Sequence, residues 1–299
     1  LALSMEYRLD ELEIIIRKYT PDYISKHIND LDSLNTLAFV FFKDVSEIYD
    51  CITRVKNIER NPSGYSINDA PVMGLLVKVW KLLKEIVVHY EKDNAEIISI
   101  LERPLVESAI TASYLLKSNE DVIEDYRKIS YKDRLKILRD LKAGNVFFES
   151  KAGKRLLTSV NEKLELEGFD EDSFKAQKKN RWKLQGKNFF EIFKEVEDEA
   201  LYTHTFGMMS ESIHASWNDS LDWCLQRNED QTFDPFPFYH PPDVRFLTTT
   251  LVFCNRPYKM WVSHINIDDG YIGSILDWIE KINSMLYVRF DELYGHDHG

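Results

Sequence analysis

Four polar residues stand in two short motifs inside otherwise apolar helical sequence. Arg103-Pro-Leu-Val-Glu107 runs on to Tyr114-Leu-Leu116, and Ser210-Glu-Ser-Ile-His214 runs on to Ala-Ser-Trp217. In each motif two polar side chains stand four residues apart, which places both on one face of an α-helix. Charged groups in apolar surroundings need partners. The spacing therefore points to one composite site, in which the cation and acid of the first motif meet the hydroxyl and imidazole of the second. Arg103, Glu107, Ser210 and His214 form the candidate catalytic or ligand-binding set.

Three chemistries fit parts of this set. A serine beside an imidazole oriented by a carboxylate follows the logic of a nucleophilic triad. No Gly-x-Ser-x-Gly elbow surrounds Ser210, and residues four apart on a regular helix lack in-line geometry for proton transfer, so this chemistry is disfavoured. An imidazole paired with a guanidinium suits metal-independent cleavage of RNA or another phosphodiester. His214 would be the acid/base and Arg103 would hold the developing charge. Glu211-Ser-Ile-His214 is one Glu-x-x-His unit, where helical di-metal sites use two. With Glu107 and with His89 from another helix, His214 would make a mononuclear centre of an oxidase or hydrolase. Metal content stays open, and no organic cofactor is expected. Beside all three stands a purely structural reading, an interior network that fixes helix register. If Glu107 is buried against a cation, its removal should cost about 3–5 kcal/mol.

Charge segregates sharply further along. Residues 162–172 hold six acids and one lysine; residues 173–188 hold six basic residues and no acid. Lys178, Lys179 and Arg181, with Trp182 as a stacking ring, are candidates for nucleic-acid contact. The favoured alternative is a solvated hairpin whose two arms neutralise each other. A net charge of −12 weighs against a general nucleic-acid coat. The partner class stays open between a protein, an RNA and a second copy of the chain.

The elements that must position these residues read as helices throughout. Asp32 should cap a helix running to about Lys56, and Asp69 with Pro71 should start another. Pro104 should break or kink the helix carrying Arg103, and Pro257 should interrupt a later one. One long helix is expected from Phe189 to about Trp217. The run Phe233-Asp-Pro-Phe-Pro-Phe-Tyr-His-Pro-Pro242 forbids a helix and should be pinned across the protein by its rings. The expected fold is all-α: an elongated multi-helix bundle with a charged helical hairpin and a proline/aromatic loop. Residues 1–56 are read as N-terminal helices and 57–299 as the main domain with both motifs. Three scattered cysteines (Cys51, Cys224, Cys254), no visible signal peptide and no apolar run that could span a bilayer suggest the cytoplasm.

On these residues the chain resembles bacterial proteins of domain-of-unknown-function family 5677. The shared pattern opens with an Arg-x-x-x-Glu unit, here Arg103 and Glu107, on a helix continuing to Tyr114–Leu116. A Ser-x-x-x-His-x-Ser unit, here Ser210, His214 and Ser216, follows a tyrosine-bearing helix with Tyr202. A proline-aromatic loop and a closing helix pair complete it, over about Asp69 to Ile282. The resemblance implies an all-helical fold and a polar site joining the motifs, and it brings no activity. The expected function is a binding or effector module in a stress or phage response. Its rivals are the ribonuclease or phosphodiesterase and the metal-dependent oxidase or hydrolase.

Overall fold

The computed structural model describes residues 14–170, 172–174, 182–214, 216–267 and 270–297, without the side chains of residues 132, 133, 296 and 297. It is an all-α multi-helix bundle. Among the described residues the regular sheet is a two-stranded antiparallel ribbon, β1 (Leu225–Arg227) against β2 (Phe233–Pro235), with Leu225 opposite Pro235. The chain divides into two compact units, residues 1–117 with 193–299, and residues 118–192. The helices before residue 57 thus belong to the same unit as both motifs.

In the first unit, α1 (Pro21–His27) precedes α2 (Leu31–Thr53). The cap of α2 is Asp30 and not Asp32, because Asp30 has extended backbone and accepts from the Ser33 amide at 2.7 Å. Leu34, Ala38, Phe41, Val45, Ile48 and Ile52 recur at three- and four-residue spacing and are all buried, which fixes the inward face. Next come α3 (Ala70–Glu91) and α4 (Ala95–Leu116). Asp69 precedes α3 as expected, but its side chain makes no cap bond because its carboxylate is held by Arg60 and His264.

Proline proves less disruptive than its chemistry suggests. The helix α4 runs unbroken through Pro104, and α10 (Arg245–His264) runs unbroken through Pro257. In α4 the missing amide falls opposite the carbonyl of Ile100, an exposed position, and packing of the buried stripe holds the helix together. The long helix α11 (Gly270–Asp297) closes the unit against α2 and α10.

The single helix expected over residues 189–217 is broken. After α8 (Phe189–Val196), Asp198 caps a new turn by accepting from the Ala200 amide at 2.9 Å. Arg256 caps the end of α8 by donating to the Val196 carbonyl and pairing with Glu197 at 2.9 Å. Residues Tyr202–Gly207 are π-helical, Glu211–Ile213 form a 3-10 turn, and α9 (Trp217–Trp223) starts afresh. The Thr205 hydroxyl donates to the Leu201 carbonyl inside this stretch, a side-chain bond that competes with the helical ladder.

The second unit contains α5 (Glu120–Ile129), α6 (Lys132–Lys142) and α7 (Lys151–Glu167). Val160, Leu164 and Phe174 form its buried centre, flanked by Tyr131, Leu138 and Phe169. Arg127 pairs with Glu167 at 2.7 Å, and the Tyr131 hydroxyl donates to the same carboxylate at 3.1 Å. Of the basic strip, Trp182 is exposed; Lys178, Lys179 and Arg181 lie outside the described residues. No described helix is long and apolar enough to cross a membrane.

Candidate functional site

Arg103 is where the two motifs meet. Its Nε donates to Glu107 Oε1 at 3.2 Å, one turn further along α4. Its Nη1 stands 3.4 Å from His214 Nε2, and its guanidinium lies 4.9 Å from the centre of the Phe206 ring. A guanidinium only donates, so Nε2 is the acceptor in this contact. The Arg103 side chain is 19% exposed and that of Glu107 42% exposed, and His214 is exposed.

The other expected pairings are not made. Glu107 bonds to Arg103 and not to His214, and among the described residues no carboxylate bonds to the imidazole. Ser210 is not on a regular helix with His214; it precedes the 3-10 turn, and its hydroxyl donates to the Phe206 carbonyl at 3.0 Å. No Ser–His dyad results. Among the described residues no group of three or more His, Cys, Asp or Glu is arranged to hold a metal ion, so His89, Glu107, Glu211 and His214 do not assemble a centre.

The exposure of Glu107 revises its energetics. An ion pair open to water contributes little, and Arg103 keeps His214 and Phe206 as neighbours when the carboxylate is gone. Glu107→Ala should therefore change stability by less than about 1 kcal/mol in a urea titration, not by the amount a buried pair implies.

Two further polar centres were not singled out from sequence. Glu102, next to Arg103 but turned inward, is 7% exposed. The Thr250 hydroxyl stands 2.9 Å from Glu102 Oε1 and 3.0 Å from the Phe246 carbonyl. Burial pushes the Glu102 carboxyl up to about 8, against the opposing hydrogen bond from Thr250. The Thr250 hydroxyl donates to Glu102 Oε1, with the Phe246 carbonyl as a second acceptor in reach. A signal existed, because Glu102 lies four residues after Ile98 and three before Leu105, on the stripe that α4 buries.

The second centre is Asp69, also buried. Arg60 grips it with two bonds, Nη1 to Oδ2 at 2.9 Å and Nη2 to Oδ1 at 3.1 Å, and His264 Nε2 stands 2.8 Å from Oδ1. Burial alone would raise this carboxyl. Hydrogen bonds with Arg60, His264 and Ser66, with the charge of Arg60, outweigh burial and bring it down to about 2. These residues tie the loop after α2 to the end of α10. The proline-aromatic run is tied down as well: the His240 amide donates to Glu96 at 3.2 Å, and the His240 carbonyl accepts from the Ala95 amide at 3.0 Å.

An all-α bundle in which two distant motifs converge on a half-exposed Arg–Glu–His cluster defines the class of protein. The model of the family of unknown function DUF5677 matches residues 69–232, more than half of the chain, and the chain belongs to that family. Both motifs fall inside the matched span, while the whole proline-aromatic run and helices α10 and α11 lie beyond it. No curated protein and no solved structure matches the chain.

Proposed function

We propose that this chain is a binding module whose anchor is Arg103, recognising a protein segment that carries one carboxylate among apolar side chains. The observation that carries the reading is the state of the guanidinium. Glu107, His214 and the Phe206 ring fix its plane, while Nη2 makes no hydrogen bond to a described residue. A guanidinium held in place with Nη2 still free to donate is arranged for a carboxylate oxygen, because the geometry is set before binding. Exposed Met208, Ile213 and Trp217 on the same segment supply apolar contact. A ligand with one carboxylate suits a chain of net charge −12 better than a polyanion does, because each further negative charge on the ligand adds repulsion.

The test is a peptide array probed with wild type and with Arg103→Ala. Binders should share one Asp, Glu or free C-terminus flanked by large apolar residues, and the variant should bind them at least tenfold more weakly, the worth of one charge-assisted bond. The Arg103–His214 contact also supports the ribonuclease reading. Cleavage of labelled single-stranded RNA by wild type, lost in His214→Ala, would put that reading first and displace the binding module.

A further inference from the structure

Beside the Arg103 cluster, and sharing Met208 with the apolar surface next to it, a cleft of about 260 Å³ opens between α4, the π-helical stretch, the 3-10 turn and α9. Its walls include Glu102, His204, Glu211, Asp219, Asp222 and the Trp223 ring; no Lys or Arg is among its lining residues. Acids at a rim are ordinary solvated surface. Glu102 is not at the rim. It is more than nine-tenths buried, its Oε1 is engaged with Thr250, and its Oε2 has no partner among the described residues. A buried carboxylate without a cation is strongly disfavoured, so with the cleft empty the group keeps its proton. A cationic group entering the cleft supplies the missing countercharge and donates to Oε2. Trp223 offers an aromatic wall of the kind that attracts cations.

We propose that this cleft binds an organic cation, a primary ammonium or guanidinium group, with Glu102 as its buried counter-ion and Glu211, Asp219 and Asp222 drawing it to the mouth. Binding converts Glu102 from carboxylic acid to carboxylate, and the displaced proton passes to the buffer. The Thr250 hydroxyl already donates to Glu102 Oε1 and keeps that bond. The carboxyl's elevated titration range near 8 agrees with this exchange at neutral pH.

The experiment is calorimetric titration of the whole chain with agmatine at pH 7, in two buffers of different ionisation enthalpy. Saturable binding with nearly a full proton released per ligand is expected. In Glu102→Gln, which keeps the shape and can still accept from Thr250 through its amide oxygen, affinity should fall at least tenfold and proton release should vanish, with the fold checked by circular dichroism. Asp219→Asn with Asp222→Asn should weaken binding and flatten its salt dependence. Absence of agmatine binding, equal binding by Glu102→Gln, binding without proton release, or uptake of magnesium in its place would each overturn the proposal. Arg103→Ala should leave agmatine binding intact, which separates failure here from failure of the peptide-binding reading.

Discussion

Glu102→Gln is expected to stabilise the folded chain by about 3 kcal/mol at pH 7 and by almost nothing near pH 4. In the native structure the Glu102 carboxyl titrates at about 8, whereas an unfolded glutamate titrates at about 4.3. Below pH 4 both states are protonated and the group is neutral to stability. Between pH 4 and pH 8 the unfolded chain loses this proton and the native chain keeps it. The native state therefore loses ground as pH rises, until the native carboxyl also ionises. Glutamine has no such proton to hold, and its amide oxygen can still accept from Thr250. Denaturant titrations of both proteins at pH 4 and pH 7 decide it. Equal stability differences at the two pH values would mean that Glu102 is ionised in the native state, with a cation beside it.

Asp69→Ala should act in the opposite direction, destabilising by about 3 kcal/mol, the lower end of the range for breaking a buried pair. Removal of the carboxylate strands the Arg60 guanidinium and leaves His264 without its acceptor; Arg60 keeps 26% exposure, so water relieves part of the loss. The pH dependence has its own sign. The native carboxyl is depressed to about 2, so its contribution is complete above the unfolded value near 4 and disappears as pH falls from 4 towards 2. Asp69→Asn should remove that acid limb from the stability profile while leaving the neutral and alkaline profile parallel to wild type. An unchanged acid limb would show that another carboxylate produces it.

Much of this architecture was legible because helices announce their buried faces by spacing. Periodicity along α2 points inward with Leu34, Leu37, Phe41, Val45, Ile48 and Ile52; all but Leu37 are buried and Ala38 takes its place, while the arrest at the Phe233–Pro242 run follows from proline chemistry. Proline misled elsewhere: Pro104 and Pro257 forfeit one bond each, yet tertiary packing carries α4 and α10 through them. The break between residues 196 and 217 was hidden because Arg256, sixty residues away in sequence, holds the Val196 carbonyl. No local pattern reports a partner that distant.

The candidate site was legible in part. The meeting of Arg103 with His214 followed from the need of each polar motif for a partner. The choice of Arg103 as its centre, with Glu107 and His214 on different sides of one guanidinium, depends on side-chain geometry that spacing does not carry. Glu107 shares the four-residue spacing with Arg103 but its side chain is 42% exposed, whereas the position of Glu102 on the apolar stripe is the better sign of burial.

The most direct measurement of the central claim is the Nε–Hε resonance of Arg103 in nitrogen-15 spectra of wild type, His214→Ala and Phe206→Leu. A guanidinium held between an imidazole and a ring should give a resolved signal displaced from that of free arginine, and each substitution should move it back towards the free position. A wild-type signal already at the free-arginine position, indifferent to both substitutions, would contradict the joining of the two motifs at Arg103.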